Sequence, residues 1–275
     1  MRHVHRLSFA LATAASLVAC GGHDPGTIEV TVYGEDFIED TIPVDVFNDG
    51  WTVTFDKFLL SIGGVATSAG HDAEQVDPTF EIFDLAQSSD GGHLLTTFAD
   101  APGGTYDHFG YVFKPEPAAT AANATAADVD ALVAAGHSVR VVGTATKGTQ
   151  TITFDWGFAL TAIHSHCDPG AEVDGNTVTI QATIHGDHLF YDDLVAAEPN
   201  VSFDLIAASD GADGSAADGV VTPAELAARN ITGEARYQVG SRDISDLWGF
   251  ISAQVGTLGH LNGEGHCEDV IVTGG

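Results

Sequence analysis

Apolar and polar residues alternate over short stretches of this chain, at Thr27 to Tyr33, Thr41 to Phe47, Trp51 to Phe55, Phe80 to Leu85 and Phe109 to Phe113. A period of two belongs to a strand with one buried face, and turn-forming residues separate the runs: Asn48-Asp49-Gly50, Gly63-Gly64, Gly91-Gly92 and Pro102-Gly103-Gly104. Ser138 to Ala145 and Gln150 to Ile163 form the next pair, joined through Lys147-Gly148. Ile152, Phe154, Trp156, Phe158 and Leu160 share one parity and are expected to face the core. Asn176 to Leu189 repeats the pattern, with Val178, Ile180, Ala182 and Ile184 inward.

Helical spacing is confined to three places. Ala126 to Ala135 sits between Thr125, an N-cap residue, and Gly136, a stop, and a short helix is expected at Pro223 to Arg229. From Asp243 to Leu258, residues Ile244, Leu247, Trp248, Ile251, Val255 and Leu258 follow the i, i+3, i+4 spacing of an amphipathic helix. A last strand is expected at Val270 to Val272. The fold class that follows is mainly β: an antiparallel β-sandwich with short helical insertions and a C-terminal amphipathic helix. It is expected as one domain over residues 27–275, with a helical insertion at about 117–137 and an acidic loop and helices at about 208–260.

The N-terminus reads differently. Arg2 and Arg6 precede an apolar run from Leu7 to Ala19, 13 residues long, which suits a signal peptide and is too short to span a bilayer. Leu17-Val18-Ala19-Cys20-Gly21 at its end resembles the lipobox of bacterial lipoproteins. That resemblance implies cleavage after residue 19, lipidation of Cys20, and a location in the bacterial cell envelope, at the outer membrane in preference to the inner. Contact with the bilayer is then expected through the N-terminal lipid only, on a tether over residues 20–26 of roughly 20 Å. More loosely, the whole chain is similar to secreted bacterial lipoproteins in which a β-sandwich carries His-rich and Asp-rich loops.

Charge sharpens the choice of partner. The chain has 39 acidic and nine basic residues, and two of the nine, Arg2 and Arg6, belong to the leader. A surface this negative repels a phosphate backbone, which excludes nucleic acid as a partner, and it favours cations, metal ions included.

With Cys20 assigned to lipid, Cys167 and Cys267 remain, and two cysteines in an oxidising compartment are expected to form a disulfide. His164, His166 and Asp168 flank the first, and His266, Glu268 and Asp269 the second. Bridging brings their neighbourhoods together, so His164 and His166, two apart on one strand, and His266, with His260 as a fourth, are candidate ligands for Zn²⁺ or Cu²⁺. The alternative is that these are polar residues around a surface disulfide. His-x-His near a disulfide resembles copper-zinc superoxide dismutase locally, but the rest of that family's ligand sequence is absent and its activity does not carry over.

A second candidate metal group is His185, Asp187 and His188. If residues 168–175 close a simple hairpin, His188 lies opposite Phe154, ~30 Å along the sheet from His164, and the two groups are separate unless another strand intervenes. His185 and His188 have opposite parity and reach one ion only if Gly186 bends the strand.

Asp218-Gly219-Val220-Val221-Thr222-Pro223-Ala224-Glu225 resembles the second half of an EF-hand calcium loop. The first half departs from it, because the first and third ligand positions fall on Gly214 and Ala216; Asp210 and Asp213 serve only in an expanded loop. Calcium at Asp210, Asp213, Asp218, Thr222 and Glu225 is one reading. The other is a capping box, with Thr222 as N-cap, Pro223 at the first helical position and Glu225 three residues on.

No catalytic triad, phosphate loop or nucleotide fingerprint is present. The function expected is a cell-envelope lipoprotein with a metal-binding β-sandwich, holding Zn or Cu at a His cluster and Ca at the acidic loop. The alternatives are a surface structural or interaction module without metal and, third, a metalloenzyme using Asp168 or Glu268 as general base.

Overall fold

The computed structural model describes residues 23–70 and 72–274, so the leader over residues 1–19 and Cys20 lie outside the described residues. The protein is mainly β. In chain order the strands are β1 (Gly26–Tyr33), β2 (Thr52–Ala69), β3 (Asp72–Asp84), β4 (His93–Ala101), β5 (Gly104–Tyr106), β6 (His108–Phe113) and β7 (Thr120–Ala121). They continue as β8 (Val139–Lys147), β9 (Gln150–Phe158), β10 (Leu160–Cys167), β11 (Ala171–Val173), β12 (Thr177–Ile184), β13 (Val220–Val221), β14 (Gly259–Leu261) and β15 (Cys267–Gly274). The helices are short: α1 (Glu35–Glu39), α2 (Ala126–Ala135), α3 (Asp204–Ala207), α4 (Pro223–Ala228) and α5 (Leu247–Gln254).

Two larger sheets form. One has the order β14-β12-β1-β4, and the other runs β13-β9-β8-β2-β6-β10-β15 with β3 and β7 branching from β2. The branch exists because β2 is long, pairing with β8 through Thr52 to Leu60 and with β3 and β6 through its second half. One apolar cluster includes Ile28, Val30 and Val32 of β1, Ile180, Ala182 and Ile184 of β12, and Val53, Phe55, Phe58, Val141, Phe154 and Trp156 of the other sheet. Alternation along each strand produces this inward set, as Ile152, Phe154, Trp156, Phe158 and Leu160 illustrate: all five are buried. Trp156 keeps its one polar group satisfied by donating Nε1–H to the Val221 carbonyl at 2.9 Å.

Local signals set the clearest boundaries. Thr125 caps α2, its hydroxyl accepting from the Asp128 amide at 3.2 Å, and Gly136 ends it in the left-handed region at φ 65. Other expectations are revised. Thr41 to Phe47 is not a strand; Ile42 and Phe47 make isolated bridges to Val53 and Val201, and Pro43, which lacks an N–H, opens a turn closed by the Val46 amide. The C-terminal helix is shorter than its apolar spacing implied: Asp246 caps it through the Gly249 amide, and it tightens into a 3-10 turn at Val255–Thr257.

The pairing of β12 departs most from expectation. β12 forms no hairpin with β10. It lies parallel to β1, with Ile28 opposite Val178 and Val32 opposite Ala182, and antiparallel to β14. β10 pairs instead with β6 and β15. The sheet is therefore mixed, and β14, at its edge, sets His260 opposite Thr183 at the end of β12.

Candidate metal centre

The site grows from the end of β12. Thr183 is the register partner of His260 and Ile184 that of Gly259, and the His185 amide donates to the Leu258 carbonyl at 2.9 Å, extending the pairing by one step. His185 and His260 thus emerge side by side, ring centroids 4.2 Å apart. The chain then bends at Gly186 into a 3-10 turn, Gly186–Phe190. Only glycine permits the bend here, because a Cβ on residue 186 would sit 2.6 Å from Ile38 Cγ1. The turn cancels the opposite parity of His185 and His188 and brings His188 to 5.2 Å from His185 and 5.0 Å from His260.

Donor atoms of His185, Asp187 and His188 lie within 4.8 Å of one another, as do those of His185, His260 and Glu264. All three histidines and Asp187 are buried. Neighbouring backbone fixes two of the rings: His188 Nδ1 lies 2.8 Å from the Thr257 carbonyl and His185 Nε2 lies 3.3 Å from that of Gly263. A carbonyl can only accept, so these nitrogens carry the protons in the neutral rings. The lone pairs are left on His188 Nε2 and His185 Nδ1.

Burial keeps two of the rings, those of His188 and His260, neutral. Burial, reinforced by the other imidazoles, pushes His188 down to about 3 and His260 down to about 4. Burial raises the Asp187 carboxyl, opposed by the nearby His185, while Tyr191 hydrogen-bonds to it. Two buried polar atoms here have no hydrogen-bond partner, Asp187 Oδ1 and His260 Nδ1. Leaving such groups unpaired costs about 1–3 kcal/mol each, which a cation bound between them would remove. Glu35 approaches from α1, its Oε2 3.6 Å from His185 Nδ1. That is too long for a hydrogen bond but close to the ~3.3 Å between donors on one tetrahedral ion with ~2.0 Å bonds. The Glu35 backbone is held at φ 53, a left-handed conformation uncommon outside glycine.

His188, His260 and His266 also line a cleft of about 930 Å³, whose other walls include Trp248, Thr257, Val270 and Val272. His266 is exposed, with its ring 4.7 Å from that of His260.

Cys167 and Cys267 form a disulfide with Cα atoms 4.0 Å apart, as direct register partners on β10 and β15. It does not unite the histidines as expected. His164 is buried and stacked on Tyr111 at 4.6 Å, where burial pushes it down to about 4, and both its ring nitrogens lack hydrogen-bond partners. His166 has φ 53 at an irregularity between His164 and Cys167 that puts it on the exposed side. Its ring packs 6.3 Å from that of His108. The set His164, His166, His266 and His260 therefore divides: His260 and His266 join His185 and His188, and the other two stay outside. Asp168 and Glu268 are exposed and line no part of the cleft.

The acidic loop takes the capping-box form. Thr222 accepts from the Glu225 amide while Glu225 accepts from Thr222, and the second Glu225 oxygen takes the Gly211 amide at 2.7 Å and the Ser215 hydroxyl at 3.0 Å. Asp210 accepts from the Asp218 and Gly219 amides, Asp218 from Val220, and Asp213 from Ser215. Among the described residues, no three of these acids bring their oxygens within 4.8 Å of one another.

Sequence reasoning missed Glu35 and Glu264. Neither stands near a motif; both arrive through sheet pairing and loop closure. Comparison with protein-family profiles, with curated proteins and with solved structures finds no match for the chain.

Proposed function

We propose that the protein binds one transition-metal ion, zinc or copper, through His185, His188 and His260, with Asp187 as the carboxylate and Glu264 or Glu35 at the rim. The observation that carries this reading is the meeting of two buried donor groups at His185, one with Asp187 and His188 and the other with His260 and Glu264, around buried polar atoms that lack hydrogen-bond partners. Imidazole and carboxylate suit Zn²⁺ and Cu²⁺, and backbone carbonyls that accept from the far nitrogens of His185 and His188 fix the orientation of each ring, as is usual for such ligands. Elemental analysis of protein purified without a histidine tag tests it. About one ion per chain, lost in a His188→Ala/His260→Ala variant, is the expected result; no ion, or the same ion in the variant, overturns it.

The same reading places the domain in the bacterial cell envelope as a lipoprotein, on the strength of Leu17 to Cys20, with the two sheets as the layers of a sandwich. Incorporation of a fatty-acid analogue that is lost on Cys20→Ala tests the anchor. One observation favours a second reading, a surface interaction module: Val270, Ile271 and Val272 are exposed in succession on β15, at the end of its sheet. Concentration-dependent association weakened by Ile271→Lys would support that one.

A further inference from the structure

The cleft beside the histidines is far larger than a water ligand needs, and its chemistry is uneven. Its lining joins His188, His260 and His266 with Trp248, Ala253, Val270 and Val272. Trp248 is stacked on Phe158 at 4.9 Å and is half-buried, so one indole face is fixed against the core. Val270 and Val272 each expose 43% of their surface. About 930 Å³ with a mainly apolar lining and a few polar groups describes a small-molecule site.

Its charges narrow the ligand. Two charged side chains besides the histidines line it, Arg242 and Asp246. Asp246 is engaged as the cap of α5. Arg242 donates only to the Leu194 carbonyl, at 3.4 Å, and has no carboxylate partner among the described residues. Lys57, Lys114, Arg140, Lys147 and Arg236 each have one. Arg229, which donates to the Ala208 carbonyl, likewise has no carboxylate partner among the described residues, so what marks Arg242 is that it also lines the cleft. A bound divalent ion adds positive charge beside His188 and His260, and a zinc site with three histidine ligands keeps a fourth position in which an outside carboxylate can replace Asp187.

We propose that the cleft binds a small organic carboxylate bearing an aromatic or branched apolar group, its carboxylate on the metal and its apolar part against Trp248, Val270 and Val272. The proposal rests on the metal reading above and adds a ligand class to it. Arg242 draws the anion in against the negative surface, and the apolar wall selects among carboxylates.

Trp51 and Trp156 are buried, so Trp248 is the tryptophan whose emission a ligand in the cleft alters directly. The test uses full-length protein with zinc content measured first, and 4-phenylbutyrate, butyrate and 4-phenylbutylamine as probes. Saturable change in emission with phenylbutyrate, at least tenfold tighter than with butyrate or the amine, and at least tenfold weaker after zinc removal, is expected. Calorimetry should show several-fold weaker binding in Arg242→Gln and at least tenfold weaker in Val270→Asp, two exposed positions. One zinc per chain with no phenylbutyrate binding, or equal binding with and without zinc, overturns the cleft proposal and leaves the metal reading standing. A protein that takes up neither zinc nor copper overturns both.

Discussion

The acidic loop and the histidine cluster both gather side chains able to hold a cation, yet they use their donor atoms in opposite ways. Around Asp210 to Glu225 every carboxylate is turned onto backbone amides or hydroxyls, and these bonds order an otherwise irregular loop. Around His185 the backbone supplies acceptors instead, which fix the protons on the outer nitrogens and leave inward lone pairs and Asp187 Oδ1 without donors. A cluster of acids is therefore no measure of cation binding. What counts is whether the local backbone presents N–H groups, which consume the donors, or C=O groups, which free them.

The largest effect that separates the two regions is on metal affinity. His188→Ala/His260→Ala should weaken zinc binding by more than about a hundredfold in competition titrations, since loss of a second-shell partner alone costs 10- to 100-fold. Asp210→Ala/Asp218→Ala should leave that affinity unchanged, and an equal loss there would collapse the contrast. Next, Glu225→Ala should lower unfolding stability by about 2–3 kcal/mol, through loss of the cap and of bonds to three other donors, and by the same amount with or without calcium in urea titrations.

Acid should act on the regions in different windows. His188 and His260 are depressed to about 3 and about 4 against an ordinary 6.5, so between these values the unfolded chain binds more protons and metal-free protein loses stability as pH falls. Burial would raise Glu225, but bonds from Thr222 and Gly211 outweigh it and hold it below its ordinary value. Its contribution is complete above the ordinary carboxylate range and lost as pH falls through the depressed value. His188→Gln/His260→Gln should narrow the upper window to the share of His164, and Glu225→Ala should reduce the loss in the lower one, read as chemical-denaturation midpoints across pH. The smallest effect is at His166, where alanine should change zinc affinity less than twofold despite the His-x-His spacing.

Local features were legible in the sequence. The alternation from Ile152 to Leu160 located core side chains, Thr125 and Gly136 bounded α2, and Thr222 with Glu225 described a capping box that forms. Two cysteines sufficed for the disulfide. Register and partner choice were not legible, because alternation states which face of a strand is buried and not which strand lies beside it. Hence the two histidine groups were divided at the wrong place: β14 carries His260 to Thr183, and an irregularity before Cys167 turns His166 outward. Glu35 had no signal at all, since its relation to His185 depends on a left-handed backbone at the start of α1.

The parallel pairing of β1 with β12 joins positions 150 residues apart, Ile28 with Val178, and the donors at 185–188 are completed only by residue 260. Contacts of such long range form late in folding because the intervening chain must first be closed. No early, partly folded chain can hold the full donor set. If the site holds a metal as proposed, His260 joins it only once β14 is paired with β12, whereas His185, Asp187 and His188 are neighbours in the chain from the start.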